Sequence, residues 1–563
     1  MLLEEIKMLI KRERCRFFLV IPFLLFNSAV LLQKLQAQVV WEDHKKEVYH
    51  YLSRMAQKGL INFDDNIRPI SRKYIGDCLD SLLHKPTELS ALEKKELTFY
   101  CREYGYEMNL GTNNTTKAVQ SFRTDPYKRW RSFYGSDGHN FLVADPVFTA
   151  GIIRGSGKSV TSSSSGVSFW GYFGKHWGFH FFYNDITEAG TGFDSTRLQT
   201  PETGFVIKDP SLRSSQNFTH FRGNVSYSWK NGSLSFGQDY LLWGYGQNGR
   251  IVLSDKPPTS PFIRLDYQFF PWLTFNYTHF WLNSKIIDSA KTYQTGNTVY
   301  GGQREFYIPK FIATHSFQIK ATKGLAIALG ESMVYSDRMD VGYLFPLMFF
   351  KVYDNIVNNS NIHTGSNGQV FLQVSSRNHL PKTHLYSTLF IDEIRISTIF
   401  DKAKSRNQLG FTFGGSITDV LVPYLTLGIE YTRVNPFVYS NLIPAQNYSS
   451  YNYSLGDWMG NNFDRLIFSL NYTPIPRFKC QFRYQSIRKG GMGTVNDQYF
   501  QQPQPDFLFD LQKKQQELYA HFSYEWINNL SINAFYSTLF ENNLLTSKKS
   551  TNTTFNIGFT YGL

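Results

Sequence analysis

The sequence predicts an all-β transmembrane β-barrel of about 18 antiparallel strands, preceded by a small N-terminal α-helical domain. From about residue 144 to the C-terminus, segments of roughly ten residues alternate aromatic or aliphatic with polar side chains, the length and period of a strand crossing an outer membrane. The turns between them are short and long in rotation. The apolar face is rich in aromatics, which a soluble sandwich rarely leaves exposed.

The elements follow in chain order. Phe17 to Leu32 is an apolar run after a basic stretch (Lys7, Lys11, Arg12, Arg14, Arg16) and before Leu35-Gln36-Ala37. It reads as a secretory signal over 1–38, processed after about Ala37; an uncleaved anchor helix is the alternative. Residues 39–108 change period. Val48, Leu52, Met55, Ala56 and Leu60 recur at helical spacing, Ser71 opens a second helix, and Ser90-Ala91-Leu92-Glu93 is a capping box opening a third. These three helices form a small periplasmic domain, which serves as a dock for a periplasmic protein, a plug on the barrel floor or a stability element. Residues 109–143 read as a linker.

In the barrel, 144–563, short turns fall at Gly174-Lys175-His176, Lys230-Asn231-Gly232, Phe270-Pro271, Thr322-Lys323-Gly324, Thr418 to Pro423, Pro474-Ile475-Pro476 and Asn528-Asn529. Long stretches lie between, at 187–217, 284–308, 336–366, 435–463 and 488–515. The segments near 367–390 fit the pattern least. Leu518, Ala520, Phe522, Tyr524 and Trp526 share an outward face, as do Phe478, Cys480, Phe482 and Tyr484, opposite a cationic inner face with Lys479 and Arg483. Asn556, Gly558, Tyr561 and Leu563 have the spacing of a terminal assembly strand.

Composition narrows the function. The chain is 17% aromatic and 18% charged, with a mean hydropathy of −0.32, because barrel strands are half polar. Removing 1–38 takes six Lys/Arg and three Asp/Glu, lowering the formal charge from +13 to +10. A basic exterior suits anionic partners such as lipopolysaccharide or an acidic polysaccharide, beside the lipid of the outer membrane. Nucleic acid is not expected, since the basic residues are scattered without a patch or motif. Cys78 and Cys101 are the available pair for a disulfide, whereas Cys480 reads as a packing residue. No cysteine or histidine spacing suggests a metal, and no cofactor is expected.

Several motifs invite chemistry. Gly244-Tyr245-Gly246-Gln247-Asn248-Gly249 satisfies GxGxxG, but an extended run follows it where a dinucleotide site needs a helix. Asp392-Glu393 is a carboxylate pair, yet neighbours on a strand point to opposite faces and cannot flank one glycosidic bond. Glu331 continues the outward face of Leu325, Ile327 and Leu329, so either a bulge turns it inward or the strand has left the bilayer. Histidines and serines form no triad, and no catalytic residue is assigned.

Leu242 to Ser254, with Pro257, Pro258, Pro261 and Ile263 behind it, resembles the WGxGxxGxLxLS segment with trailing prolines of the Wzi capsule-assembly family of outer-membrane proteins. His315 to Lys320, Gly330 to Tyr335, Tyr343 to Phe349 and Leu389 to Glu393 are similar to further blocks of Bacteroidota-type members, as is the helical region around Tyr51 to Arg54, Gly59 to Ile61 and Ile70 to Arg72. Arg250 stands where a small residue is commoner in the family, and Lys256 in a stretch usually richer in Asn. The resemblance implies a lumen-plugged outer-membrane barrel that binds capsular polysaccharide at the cell surface as a lectin.

Sugar rings stack on aromatics, and their hydroxyls pair with Asp, Asn and Arg. The long loops supply these types: Tyr293, Tyr300, Arg304, Tyr307, Arg338, Tyr343, Tyr353, Tyr439, Tyr448, Tyr451, Tyr453 and Trp458. Girdle and loop aromatics are common in any such barrel. The ligand-binding expectation centres on Trp243, Tyr245 and Arg250, with Arg338 and Tyr343 from the neighbouring loop. The alternative for 242–264 is a segment that folds inward and closes the lumen. The reading is a non-enzymatic barrel that binds surface polysaccharide and helps assemble or retain it. Its rivals are a porin or transporter for anionic solutes, and an outer-membrane part of a gliding or secretion apparatus.

Overall fold

Eighteen antiparallel strands close on themselves. The computed structural model describes residues 38–108, 118–193, 199–200, 204–207, 214–296, 301–358, 365–401 and 403–562. The signal region 1–37, residues 109–117, Tyr300 and Leu563 lie outside the described residues.

The barrel strands are β1 (Phe141–Gly155), β2 (Lys158–Phe173), β3 (Trp177–Gly190), β4 (Ser215–Trp229), β5 (Gly232–Asp239), β6 (Ser260–Phe270), β7 (Leu273–Ile287), β8 (Tyr307–Thr322) and β9 (Leu325–Ser336). They continue as β10 (Asn367–Arg377), β11 (Thr383–Ile394), β12 (Asn407–Thr418), β13 (Leu425–Val434), β14 (Phe463–Ile475), β15 (Phe478–Lys489), β16 (Lys513–Ile527), β17 (Leu530–Asn543) and β18 (Lys548–Tyr561). Each pairs with its successor, and β18 returns to β1 from Thr554↔Gly155 to Tyr561↔Phe148.

The seven expected short turns are present. An eighth, over 378–382, joins β10 to β11 in the region that fits the pattern least. Those strands bury Gln369, Gln373 and Ser375 on the lumen side, which weakens their apolar signal. At the long-loop end, the first and last connections are short as well, at Ser156-Gly157 and over 544–547. Strict rotation of turn lengths therefore fails at the two hairpins that flank the closure.

Leu518, Ile532, Tyr536, Phe555, Ile557 and Phe559 stand exposed on the outer wall, as a lipid belt requires. Phe173, Trp177, Phe270, Trp272 and Trp526 form an exposed aromatic rim at the short-turn end. Among the described residues, no helix is long and apolar enough to cross a membrane. Phe482 points out and its neighbour Gln481 points in, so Phe482→Arg near mid-bilayer is expected to cost about 2–4 kcal/mol and Gln481→Arg much less. Reversible unfolding in detergent or lipid measures both, and equal costs would show that the register is wrong.

The helical segment comprises α1 (Val48–Gln57), α2 (Arg72–Leu83) and α3 (Ala91–Glu103). The Ser71 hydroxyl accepts from the Tyr74 N–H, and Ser90 and Glu93 form the expected reciprocal box. Their stripes make one core from Val48, Leu52, Ile75, Leu79, Leu82 and Leu97, joined by Tyr424 of a barrel turn. Each such fully buried aliphatic contributes about 1.5–3 kcal/mol. Cys78 and Cys101 are separate buried thiols in that core, not a disulfide, and burial pushes both up to about 12. Ala118–Thr124 and Trp130–Ser136, within the stretch read as a linker, form a hairpin whose second strand pairs with the start of β1.

Candidate functional site: a cationic chamber inside the barrel

Helices and barrel form one unit, because the helical segment is fastened to lumen-facing groups around the wall. Trp41 Nε1 donates to Ser235 Oγ of β5 at 2.9 Å, while the Arg264 guanidinium of β6 lies 3.8 Å over the Trp41 ring. Arg54 bridges Glu93 (2.6 Å) and Asp419 (2.5 Å), Lys479 of β15 pairs with Glu96 at 2.7 Å, and Arg377 of β10 with Asp65 at 2.5 Å. On the opposite side, Arg222 of β4 meets Asp43 at 2.7 Å. The helices therefore occupy the short-turn end of the lumen.

From the long-loop end, residues 240–259 fold inward to meet them. Leu242 and Trp243 pair as a short ladder with Arg68 and Ile67, and the Gly244 N–H donates to Asn66 O at 2.8 Å. The loop 435–462 follows: Tyr439 and Tyr448 hydroxyls donate to the carbonyls of Ile251 and Val252, each at 2.7 Å. These loops pack on a lumen-side ring that includes Phe262, Phe280, Phe371, Phe390 and Phe463. The remaining arc is polar, with Thr149, Ser162, Asn184, His220, Asn533 and Thr560 lining a cavity of about 460 Å³. One side of the lumen is packed like a soluble core, and the other is hydrophilic.

The GxGxxG pattern is a packing feature. A Cβ at Gly246 would overlap the Gly249 carbonyl, and Gly249, at φ +148°, leaves room for the Asp457 carboxylate, which is held by Arg465 at 2.7 Å. Each glycine lets the infolded backbone approach a neighbour closely.

A second cavity, of about 390 Å³, lies between α1 and this segment. Lys45, Arg54, Arg68, Arg250, Lys256, Arg377 and Lys479 line it against the acids Glu47, Asp65 and Asp255. Arg54, Arg68, Lys256, Arg377 and Lys479 are each committed to a carboxylate. Arg250 differs. It is only 7% exposed, Nη1 is buried without a hydrogen-bond partner, and it makes no ion pair among the described residues. Burial, together with the like charge of Arg68, pushes its guanidinium down to about 10. Asp65, Asp255 and Glu430 offset part of the cost of burial from a distance, but none makes an ion pair with Arg250, and an anion in the chamber would supply the missing contact.

Of the other expected site residues, Tyr245 also lines the chamber, with its hydroxyl donating to Asp64 at 2.8 Å and its ring edge-on to His384. Trp243 is buried edge-on to Phe371 with Nε1 unpartnered, so it faces no solvent. Arg338 is exposed on a separate loop. Tyr343 is buried there, and its hydroxyl donates to Asp354 at 3.2 Å. The structure thus groups Tyr245 and Arg250, and separates them from Arg338 and Tyr343.

In the sequence Trp458 is one of many loop aromatics, with no local pattern to single it out. Its ring is 40% exposed, and Nε1 donates to Asn248 O at 2.9 Å, two residues from Arg250. Gln247 beside it is exposed, and Asn248 donates to Gln485 at 2.7 Å. Asp392 and Glu393 have structural partners: Asp392 accepts from Gln369 and the Tyr439 N–H, and Glu393 pairs with Arg406 at 3.2 Å. Among the described residues, no group of acidic, histidine or cysteine side chains is arranged to hold a metal.

A closed barrel with a lipid belt, a helical plug and infolded loops defines an outer-membrane protein of a Gram-negative envelope. Its fold is shared with Wzi, an outer-membrane protein involved in group 1 capsule assembly in Escherichia coli and described as a carbohydrate-binding β-barrel: TM-score 0.56 and 12% identity over 94% of this chain and 100% of that one. OprD of Pseudomonas aeruginosa matches at a TM-score of 0.42 and 10% identity, over 80% of this chain and 98% of that one. OccK3 of the same organism matches at 0.41 and 13%, over 75% and 95%. No protein-family model matches the chain, and no curated protein sequence does.

Proposed function

We propose that this protein is a non-enzymatic, Wzi-type outer-membrane barrel that binds an anionic surface polysaccharide and helps assemble or retain it at the cell surface. The observation that carries the reading is Arg250, a buried guanidinium with no carboxylate in ion-pair contact, in a chamber lined also by Gln247 and by Asn248, whose carbonyl accepts from the indole of the exposed Trp458. An acidic sugar offers each of these a partner: a carboxylate for Arg250, a C–H face for the indole and hydroxyls for the amides. The carbohydrate binding described for the Wzi barrel agrees with this choice.

The test is direct binding of the host's own acidic polysaccharide to purified barrel. Arg250→Gln is expected to weaken binding by roughly 10–100-fold, since a hydrogen bond to a charged group is worth about 1.5–3 kcal/mol. Trp458→Ala should weaken it comparably. Arg250→Gln should leave thermal stability unchanged or raised, because it removes a buried charge that makes no ion pair. A loss of stability with unchanged binding would assign Arg250 a structural role. The polar half of the lumen favours the transporter reading as runner-up, and steady single-channel conductance of the intact protein would support it over glycan binding.

A further inference from the structure

The loop between β9 and β10 does not stand out from the long-loop end. Its residues 337–358, including a short helix α4 (Phe350–Val357), fold back over the outer wall of β7, β8 and β9. Tyr343 and Phe350 cover Phe275, Tyr277, Phe311, Met333 and Tyr335, which lie on the outward face of those strands. Beneath this cover lies Glu331. The expected bulge is absent: β9 runs evenly past this point, and Glu331 is only the seventh residue of the strand. With an axial rise of about 2.5 Å per tilted residue it lies roughly 15 Å above the start of the strand at the short-turn edge, a height that an apolar band about 25 Å tall covers when it begins there.

The flap satisfies that carboxylate. Glu331 accepts from the Phe350 N–H at 2.5 Å and the Lys351 N–H at 3.4 Å, and lies 3.2 Å from His315 Nε2, directly across the ladder. His315 Nδ1 is 2.8 Å from Pro346 O. The flap's own polar groups turn inward too. Asp354 accepts from Tyr343 Oη, the Ser366 N–H and Asn358, and Tyr353 Oη donates to Asp340 at 2.8 Å. Outward it presents Phe345, Leu347, Phe349, Val352 and Ile356, with Phe349 and Ile356 each 70% exposed.

We propose that residues 337–358 form a membrane-embedded flap whose outward face is covered by the acyl chains of outer-leaflet lipid. Hydrocarbon tolerates backbone outside strands only where its polar groups are satisfied within the protein, and the inward bonds of the Phe350 and Lys351 N–H groups, Tyr343, Tyr353 and Asp354 serve that requirement over a wall that would otherwise expose Glu331 and His315 to lipid. Its apolar face is continuous with the exposed Ile319 and Leu329 of the strands it covers. Water would leave a large apolar patch exposed, which soluble surfaces avoid. The exposed polar side chains of 337–358 are Asp337 and Arg338 where the segment leaves the end of β9, and Lys351 and Asn355 on α4; the Lys351 ammonium lies 3.6 Å from Asp354, and the Arg338 and Lys351 stems are long enough to reach headgroups. The assignment is independent of the glycan reading.

The test introduces cysteine at Phe349, at Ile356 and, as a water-exposed control, at Lys291 of the loop between β7 and β8, in the full chain. Native Cys78, Cys101 and Cys480 are buried. Variants that keep heat-modifiable migration are treated with a sulfonated, water-soluble maleimide and with an uncharged pyrene maleimide. This is done in intact cells and in vesicles of phosphatidylethanolamine and lipopolysaccharide. In both settings the sulfonated reagent is expected to label Phe349→Cys and Ile356→Cys at least about tenfold more slowly than Lys291→Cys, because a charged reagent is excluded from hydrocarbon. The uncharged reagent should label all three. Fast sulfonated labelling in both settings would overturn the proposal in favour of a water-facing loop. Protection in cells but not in vesicles would overturn it in favour of a protein partner.

Discussion

Removing residues 554–563 is expected to abolish the assembled barrel, leaving unfolded periplasmic protein without heat-modifiable migration in the membrane fraction. These residues make every pairing between β18 and β1, from Thr554↔Gly155 to Tyr561↔Phe148, and carry the outward Phe555, Ile557 and Phe559. Without them two strand edges face hydrocarbon, where each unsatisfied backbone group costs several kcal/mol. Tyr561 adds a local reason: it is buried with its ring against Phe148 and Trp130, tying the closure to the hairpin before β1. Normal membrane-inserted protein from this truncation would show that closure does not depend on the terminal strand.

Arg72→Ala is expected to destabilise the seated helical segment by about 3–5 kcal/mol, the cost of leaving buried charges without their partner. The Arg72 guanidinium pairs with Glu42 (2.6 Å), Glu107 (2.7 Å) and Glu103 (3.3 Å), and lies 3.8 Å over Trp170 of β2. Glu103 continues the network to Arg129 and Arg131. Acid should weaken the same contacts. Burial works against the charge on Glu103, but Arg131, Arg129 and Arg72 outweigh it and hold the carboxyl well below the usual range. Burial opposes Glu93 likewise, and there Lys58 and Arg54 prevail. A depressed carboxylate contributes fully above its unfolded value, near 4, and that contribution is lost as pH falls below about 4 toward the folded value. Protease sensitivity of 39–108 should therefore rise in Arg72→Ala at neutral pH, and in the unaltered protein only under acid. A segment equally resistant in every case would mean that these pairs do not seat it.

The wall was legible because lipid and lumen impose a period of two on every strand, and the short turns carry their own Gly, Pro and Asn chemistry. The capping box at Ser90 was legible for the same reason, since both partners lie within one turn. What the infolded loop packs against was not. Leu242, Trp243, Ile251 and Val252 meet Ile67, Phe371 and Phe463, residues far away in sequence that no local pattern connects. A signal existed in Phe262, Phe280, Phe371 and Phe390, apolar residues on the face that should be polar, which imply an apolar filling inside the barrel. Glu331 was the corresponding signal for the flap: a carboxylate on a lipid face has to be covered by something.

The ring of fastenings around the helical segment also fixes an order of events. Lys46 Nζ donates to Asn529, 483 residues later, Glu96 waits for Lys479, and Arg54 for Asp419. The part of the chain that emerges first thus completes its set of partners only after the C-terminal hairpins have been laid down. Contacts this distant in sequence form slowly. The N-terminal helices must spend assembly as a tethered stopper beside an unfinished wall, and their seating becomes a report that the wall is complete.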